Sequence, residues 1–313
     1  ITPFFIALLI AYLLNGAMSY FYSRGLSEKI SLFLALIIFT AFYISIFLLL
    51  PLITAQIGSL INELPAIASY VERLAQNLLE TYPELFTQNQ VEGLVGSITS
   101  FLPSSAEQIL IQMNAGFSAM MNALIYIILI PFFVFFFLKD KSELLPIASV
   151  ILPKENGFMQ SVFVEMNDQL FNYVTGKFLE MIIIAAVSYA LFAILGLPYA
   201  ILLAILVGLS VIIPIFGAFL VTIPVVLVGL YEWGLSDNFY WLLGCYLLIQ
   251  ILDGNVLVPI LFSNRNNLHP VVIIVAVLFF GGIWGFWGLF FAIPLATFIK
   301  AIINSWPDPQ NMN

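Results

Sequence analysis

Asp253 stands out among the ionisable residues of this sequence because apolar residues surround it on both sides. Gln250 lies three residues before it and four before Gly254, so the three can share one face of a helix. An ionised side chain in a membrane-spanning segment needs a charge partner or a hydrated cavity. Asp253, with Gln250 and Asn255 beside it, could bind a cation, carry a proton or contact a polar solute. Alternatively, it is a structural carboxylate that pairs with Arg265 or accepts backbone N–H groups beside a helix break.

Four further ionisable residues are candidate charge partners for this segment. Arg265 and His269 stand just before the last apolar segment. An unperturbed histidine titrates near neutral pH, so His269 could relay protons, although a lone histidine before a proline is more often a turn or interface residue. Glu180 follows Lys177 by one helical turn, which predicts a simple salt bridge at the membrane interface.

Several classes of chemistry are excluded by what the sequence lacks. It contains one cysteine and one histidine, so it has neither a disulfide framework nor the paired ligands of common metal sites. No nucleotide-binding glycine motif, serine-hydrolase motif or pair of catalytic carboxylates occurs in the apolar segments. We therefore expect no enzymatic activity, no metal and no cofactor.

Composition places the chain in a membrane. Of its 313 residues, 62% are hydrophobic and only 8% are charged, and the mean hydropathy is +1.09. A soluble domain carries about 25% charged residues. The net charge of −8 also gives no basic surface for nucleic acid. These values predict an all-α polytopic membrane protein in contact with the lipid bilayer.

Apolar runs define the predicted spans. A helix that crosses the bilayer needs about 20 apolar residues, and five plain runs meet that need: 3–22, 30–55, 117–138, 178–196 and 239–262. Two other apolar segments, 197–231 and 270–303, are interrupted by glycine and proline, including Pro214, Gly217, Gly281 and Gly282. Paired interruptions of this kind indicate a transporter binding site, with half-length or re-entrant helices. Two tight hairpins that fully cross, or kinked helices, are the alternative.

Residues 56–116 carry more charge and form an amphipathic helical subdomain. Apolar residues recur there with heptad spacing, which we call the seam: Ile57, Leu60, Leu64, Ile67, Val71, Leu74 and Leu78. Pro65 predicts the start of a new helix. The seam could form an oligomer contact or a lid, or a helical hairpin could pack on itself, with its second part at 85–102.

The chain therefore divides into six predicted regions. They are N-terminal transmembrane helices (1–55), an extramembrane subdomain (56–116), a transmembrane helix (117–138), a cytoplasmic loop with an interfacial helix at 153–175 (139–177), a C-terminal transmembrane transport region (178–305) and a tail (306–313). Placing the basic loops inside puts 56–116 outside the cell. The first span then begins outside, so we expect a further helix upstream of Ile1.

An ordered set of motifs resembles the autoinducer-2 exporter family. The motifs are Gly196-Leu-Pro-Tyr-Ala200, Ile213-Pro-Ile-Phe-Gly217, Asp253-Gly-Asn-Val-Leu-Val-Pro259, Leu268-His-Pro270, Gly281-Gly282 and Ala292-Ile-Pro294. From Asp253 to Pro307 the sequence looks most like the PerM-type permeases of that family. The resemblance covers most of the chain and implies a bacterial inner-membrane protein. Within the family it implies export of autoinducer-2 or sodium/proton antiport, by oligomeric, elevator-like transport.

Together these observations predict a secondary transporter or exporter of a small polar solute, resembling autoinducer-2 exporters and acting as a homo-oligomer. A monovalent cation/proton antiporter and a non-transport scaffold that recruits partners through 56–116 remain as alternatives. The candidate solute- or ion-binding residues are Asp253, Asn255, Gln250, Pro214, Gly217, Gly281 and Gly282, and the candidate charge partners are Arg265, His269, Glu180 and Lys177.

Overall fold

The structure is a computed structural model that describes residues 2–81, 88, 93, 96, 116–144, 157–214, 216–262 and 268–305. Within these ranges all regular structure is helical, which confirms the predicted all-α membrane fold. The helices in chain order are α1 (Thr2–Ser23), α2 (Glu28–Thr81), α3 (Gly116–Lys139), α4 (Gly157–Leu195), α5 (Ala200–Ser210), α6 (Phe216–Trp233), α7 (Asp237–Leu252), α8 (Val258–Phe262), α9 (Pro270–Trp284) and α10 (Phe286–Ser305). A π-helical turn, Asp253–Leu257, joins α7 to α8.

Five of the described helical segments are long and apolar enough to cross a bilayer. They are Thr2–Ser23, Glu28–Thr81, Gln169–Leu195, Phe216–Trp233 and the continuous segment Asp237–Phe262. Their outer faces present large apolar side chains, such as Ile194 at 83% exposure and Phe219 at 77%. Such a surface suits acyl chains rather than water.

Helix α2 runs without interruption for 54 residues, through Pro51 and Pro65. The predicted new helix at Pro65 is therefore wrong. Ile61 and Ile67 are buried on either side of the proline, and this packing outweighs the lost backbone hydrogen bond. At a rise of about 1.5 Å per residue, α2 is about 81 Å long, well beyond a bilayer core of about 30 Å.

Two residues of the seam on α2 pack inside this chain. Ile67 is buried, and Leu60 packs against the core between α4, α5, α6 and α7. Near the end of α6, Tyr231 makes an edge-to-face contact with Tyr70, with ring centroids 5.9 Å apart. The predicted partner segment at 85–102 falls outside the described residues, apart from isolated positions.

Helix α4 is also continuous, from Gly157 to Leu195. No break therefore separates the described part of the predicted interfacial helix at 153–175 from the apolar run that follows it, and its interfacial position stays a prediction. Lys177 and Glu180 neutralise each other's charge within α4, which lets one helix pass from an amphipathic segment into an apolar one.

Both interrupted segments form helical hairpins. Helix α5 has only 11 residues, or about 16 Å, and is too short to cross the bilayer. Its partner α6 is long enough, so only one helix of this pair is short. In the second hairpin the turn lies at Gly285, whose φ is 57°, and not at Gly281-Gly282, which lie inside α9.

Four clusters of buried residues hold the described helices together, and two of them lie within the α9–α10 hairpin and between α4 and α10. Phe192, Leu203, Val225 and Tyr246 pack between α4, α5, α6 and α7. A separate cluster joins α1, α2 and α3. The short helix α5 thus sits inside the first cluster, with one end beside the cavity described next.

Candidate functional site

A cavity of about 600 Å³ lies between α4, the turn after α5, the π turn and the α9–α10 hairpin. Its volume falls in the range of small-ligand sites, about 300 to 1,000 Å³. Most of its wall is apolar. The polar side chains of the wall come from two helical segments, with Tyr173, Lys177 and Glu180 on α4 and Gln250 and Asp253 at the end of α7.

Lys177 and Glu180 form a buried ion pair in this wall. The Lys177 Nζ lies 3.1 Å from Oε1 and 2.8 Å from Oε2 of Glu180, and the two side chains are 7% and 2% exposed. The pair was predicted at the membrane interface. The salt bridge is present and is buried beside the cavity, and its depth in the membrane stays a prediction. Removing only one partner of such a pair would leave an uncompensated buried charge.

The same ammonium group reaches the end of the short helix α5. Lys177 Nζ donates a 2.9 Å hydrogen bond to the carbonyl of Val211, the residue that caps α5. The last carbonyls of a helix lack partners and carry partial negative charge. Lys177 therefore neutralises both the Glu180 carboxylate and the end of α5.

An aromatic ring covers the ion pair from the side of α8. The Phe262 ring centroid lies 5.3 Å from Lys177 Nζ, a geometry that stabilises a cation. Gly176 makes room for this ring, because a Cβ there would lie 2.8 Å from Phe262. Tyr173, one helical turn before Lys177, is held in place by a 2.9 Å hydrogen bond from its hydroxyl to the carbonyl of Phe290.

Asp253 opens the π turn, and Pro259 explains why the turn forms there. A proline in a helix lacks the N–H that would bond the carbonyl four residues earlier and clashes with it. The chain responds with a wider turn, in which Val258 N donates to the Asp253 carbonyl. Such turns are frequent at functional sites. The Oδ1 atom of Asp253 is buried and has no hydrogen-bond partner among the described residues.

The Asp253 carboxylate lies within electrostatic range of both members of the ion pair. The cavity therefore presents two carboxylates, one ammonium group and a helix end to a space large enough for a small molecule. Chemically, this set can hold a cation, exchange a proton or hydrogen-bond a polar solute.

The family model for AI-2E family transporters matches residues 1–308. The chain belongs to the AI-2E transporter family. It is therefore a multi-pass protein of a family of membrane transporters, as its apolar helices also indicate.

Three relatives illustrate the range of similarity within this family. The proposed permease PerM of Escherichia coli (strain K12) is 40% identical over 311 residues, which cover 99% of this chain and 88% of PerM. The proposed transport protein YueF of Bacillus subtilis (strain 168) is 32% identical over 208 residues, covering 66% of this chain and 55% of YueF. The AI-2 transport protein TqsA of Escherichia coli (strain K12) is 27% identical over 145 residues, covering 46% of this chain and 42% of TqsA.

In this AI-2E family chain, the predicted site residues differ in their position relative to the cavity. Asp253, Gln250 and Pro214 line the cavity. Asn255 does not, because its Nδ2 donates a 2.8 Å hydrogen bond to the Ile251 carbonyl on an exposed face. Arg265 lies outside the described residues, so its predicted pairing with Asp253 stays a prediction.

Four other candidates, Gly217, Gly281, Gly282 and His269, are not among the residues that line the cavity. Gly217 packs against the Ser210 carbonyl, and Gly281 packs against Leu289 across the second hairpin, whereas a Cβ on Gly282 would meet open space. His269 is the N-cap of α9, where its Nδ1 accepts a 3.3 Å hydrogen bond from Val271 N. A cap of this kind agrees with a turn role for His269.

The central position of Lys177 and Glu180 and the contribution of Tyr173 and Phe262 were not predicted from the sequence. One signal for the pair was available: two opposite charges one turn apart, with the apolar run 181–195 directly after them. The contacts with Val211 and Phe262 join residues distant in the sequence, and no local pattern encodes them.

Proposed function

We propose that this chain is an inner-membrane secondary transporter that exports a small polar solute through the cavity around Lys177, Glu180 and Asp253. One observation carries the proposal: a cavity of ligand size in which buried charged groups meet the end of a broken helix. Transporters bind their substrates at such places. The cavity would open to one side of the membrane at a time, as the region from α4 to α10 moves relative to α1, α2 and α3.

Autoinducer-2 is the first solute to test, because TqsA is named for its transport. It is a small molecule rich in hydroxyl groups. The Gln250 amide and the carboxylates of the cavity could accept and donate hydrogen bonds to such a solute, while the apolar wall excludes water.

Monovalent cation/proton antiport is a second candidate function. The buried carboxylate of Glu180 and the partly buried carboxylate of Asp253, which line the same cavity, favour it, because intramembrane carboxylates mark ion and proton pathways. The two functions differ in their need for a charged Asp253.

Flux in proteoliposomes tests the proposal. Wild-type protein and Asp253→Asn would be compared for autoinducer-2 uptake and for sodium-driven proton movement, followed with a pH-sensitive dye. Antiport requires the carboxylate, so the Asp253→Asn variant would lose it, whereas facilitated flux of a neutral solute would survive in part. Asp237→Asn is the matched control, since Asp237 is an exposed carboxylate at the start of the same helix.

Absence of both fluxes in folded wild-type protein would contradict a transport function for these substrates. Flux that is identical in wild type and Asp253→Asn would contradict the proposed site and leave transport itself intact.

A further inference from the structure

The surroundings of the Lys177 ammonium group have the composition of a cation site. Three oxygen atoms lie within 3.1 Å of Nζ, two from the Glu180 carboxylate and one from the Val211 carbonyl. The carbonyl belongs to the end of a helix that stops short of crossing the bilayer. Carboxylates and free carbonyls at broken helix ends are the groups that bind coupling cations in transporters.

A second carboxylate lies within electrostatic range of these oxygen atoms. Asp253 lines the same cavity and has one buried oxygen without a hydrogen-bond partner among the described residues. Without the ammonium, Glu180, Asp253 and Val211 would form an uncompensated negative pocket. Hard monovalent cations prefer oxygen ligands of these kinds.

We propose that Lys177 is a tethered cation that occupies a monovalent-cation site, and that soluble Na⁺ or K⁺ replaces its ammonium during the transport cycle. The inference rests on the proposed secondary transport, whose coupling ion it names. Lysine suits this role because its charge is compact and its four-carbon stem is flexible. The cavity of about 600 Å³ beside it gives the displaced ammonium a place to move.

A purely structural ion pair would show the same contacts, and the two roles differ in what happens when the ammonium is removed. If the pair is purely structural, the variant without the ammonium is less stable, and its stability does not depend on which cation is in solution. A tethered cation would leave a vacant site that a soluble cation fills and thereby stabilises the fold.

Thermal unfolding of Lys177→Gln in lipid nanodiscs makes this comparison. We expect its midpoint to be several degrees higher in NaCl or KCl than in choline chloride of equal ionic strength, because the methyl groups of choline keep its charge away from the oxygen atoms that the ammonium contacts closely. The double variant Lys177→Gln, Glu180→Gln should lose this difference. Lys139→Gln is the control, because Lys139 is exposed and its nearest carboxylate oxygen is 3.9 Å away.

Equal midpoints of Lys177→Gln in sodium, potassium and choline salts would overturn the inference. A second measurement on the wild-type chain covers the case in which the variant does not fold. Reductive methylation of Lys177, quantified by peptide mass spectrometry, should increase several-fold between choline chloride and NaCl as the ammonium leaves its site. Equal methylation in both salts would overturn the inference.

Neither assay measures flux. If no transport of autoinducer-2 or protons is observed, the unfolding and methylation measurements still test the tethered cation. Conversely, a protein that transports solute but shows no cation dependence in either assay would retain the proposed function and lose the tethered cation.

Discussion

Gln56 of α2 accepts a 2.9 Å hydrogen bond through its Oε1 from the backbone N–H of Leu202, in the first turn of α5. Tyr199, the N-cap residue of α5, makes no capping hydrogen bond with its side chain. Lys177 binds the carbonyl at the opposite end. The short helix is therefore fixed at both ends by side chains from longer helices, which satisfy groups that its own residues leave unpaired.

The first prediction concerns this cap. Gln56→Leu should lower the free energy of unfolding by about 1 kcal/mol, the typical value of a helix N-cap. Thermal unfolding in detergent, followed by circular dichroism, measures the change. Asn62→Leu, an exposed position on the same helix, should have little effect. Equal losses in the two variants would contradict a capping role for Gln56.

The buried ion pair gives a second prediction. Glu180→Gln leaves the ammonium of Lys177 buried with one carboxylate fewer, so we expect a loss of about 3 kcal/mol. The double variant Lys177→Met, Glu180→Leu removes both charges and keeps apolar volume, and it should recover most of that stability. The same unfolding assay measures both variants. If the double variant is less stable than Glu180→Gln, the destabilisation does not arise from an unpaired charge.

The third prediction concerns the close approach of Gly217 to α5. A Cβ at Gly217 would overlap the backbone carbonyl of Ser210, so Gly217→Ala should cost about 2 kcal/mol. Gly244→Ala is the matched control on α7, where a Cβ meets no atom within 4 Å. That variant should gain about 0.5 kcal/mol or more from the lower entropy of its unfolded state. Chemical denaturation measures the free energy of unfolding of both variants, and equal changes would contradict the close approach of Gly217 to α5.

Pro259 provides the fourth prediction. Pro259→Ala restores a backbone N–H four residues after Asn255, which favours a regular α-helix over the π turn. The protein should be at least as stable as the wild type, but Asp253 would turn away from the cavity. We expect flux in proteoliposomes to fall roughly tenfold, equivalent to about 1.4 kcal/mol. Pro224→Ala, in α6 outside the cavity wall, should retain its flux.

The site residues that could be predicted from the sequence are those whose type differs sharply from the apolar residues next to them in the chain. Asp253 and Gln250 were identified because polar residues in apolar surroundings are costly and must be compensated. Pro214 was identified because proline interrupts a helix. Each of these signals is contained within a few residues, and each residue lies on the cavity wall.

The remaining features depend on backbone geometry or on distant contacts. Asn255 was grouped with Asp253, but the wider π turn changes the angular spacing, and its side chain bonds within its own helix. Pro65 and the boundary near residue 175 resembled helix ends, yet α2 and α4 continue past these positions because tertiary packing stabilises them. Neither result follows from local propensity, because both depend on what packs alongside.

The uninterrupted length of α2 has a mechanical consequence. Gln56, its hydrogen-bonded contact with α5, lies near the middle of the helix, with about 38 Å of helix between it and Thr81. A rod held near its midpoint acts as a lever, so a tilt about Gln56 would carry the two ends in opposite directions. A tilt of about 5° that accompanies a shift of α5 would thus displace Thr81 by about 3 Å, far from the cavity where it began.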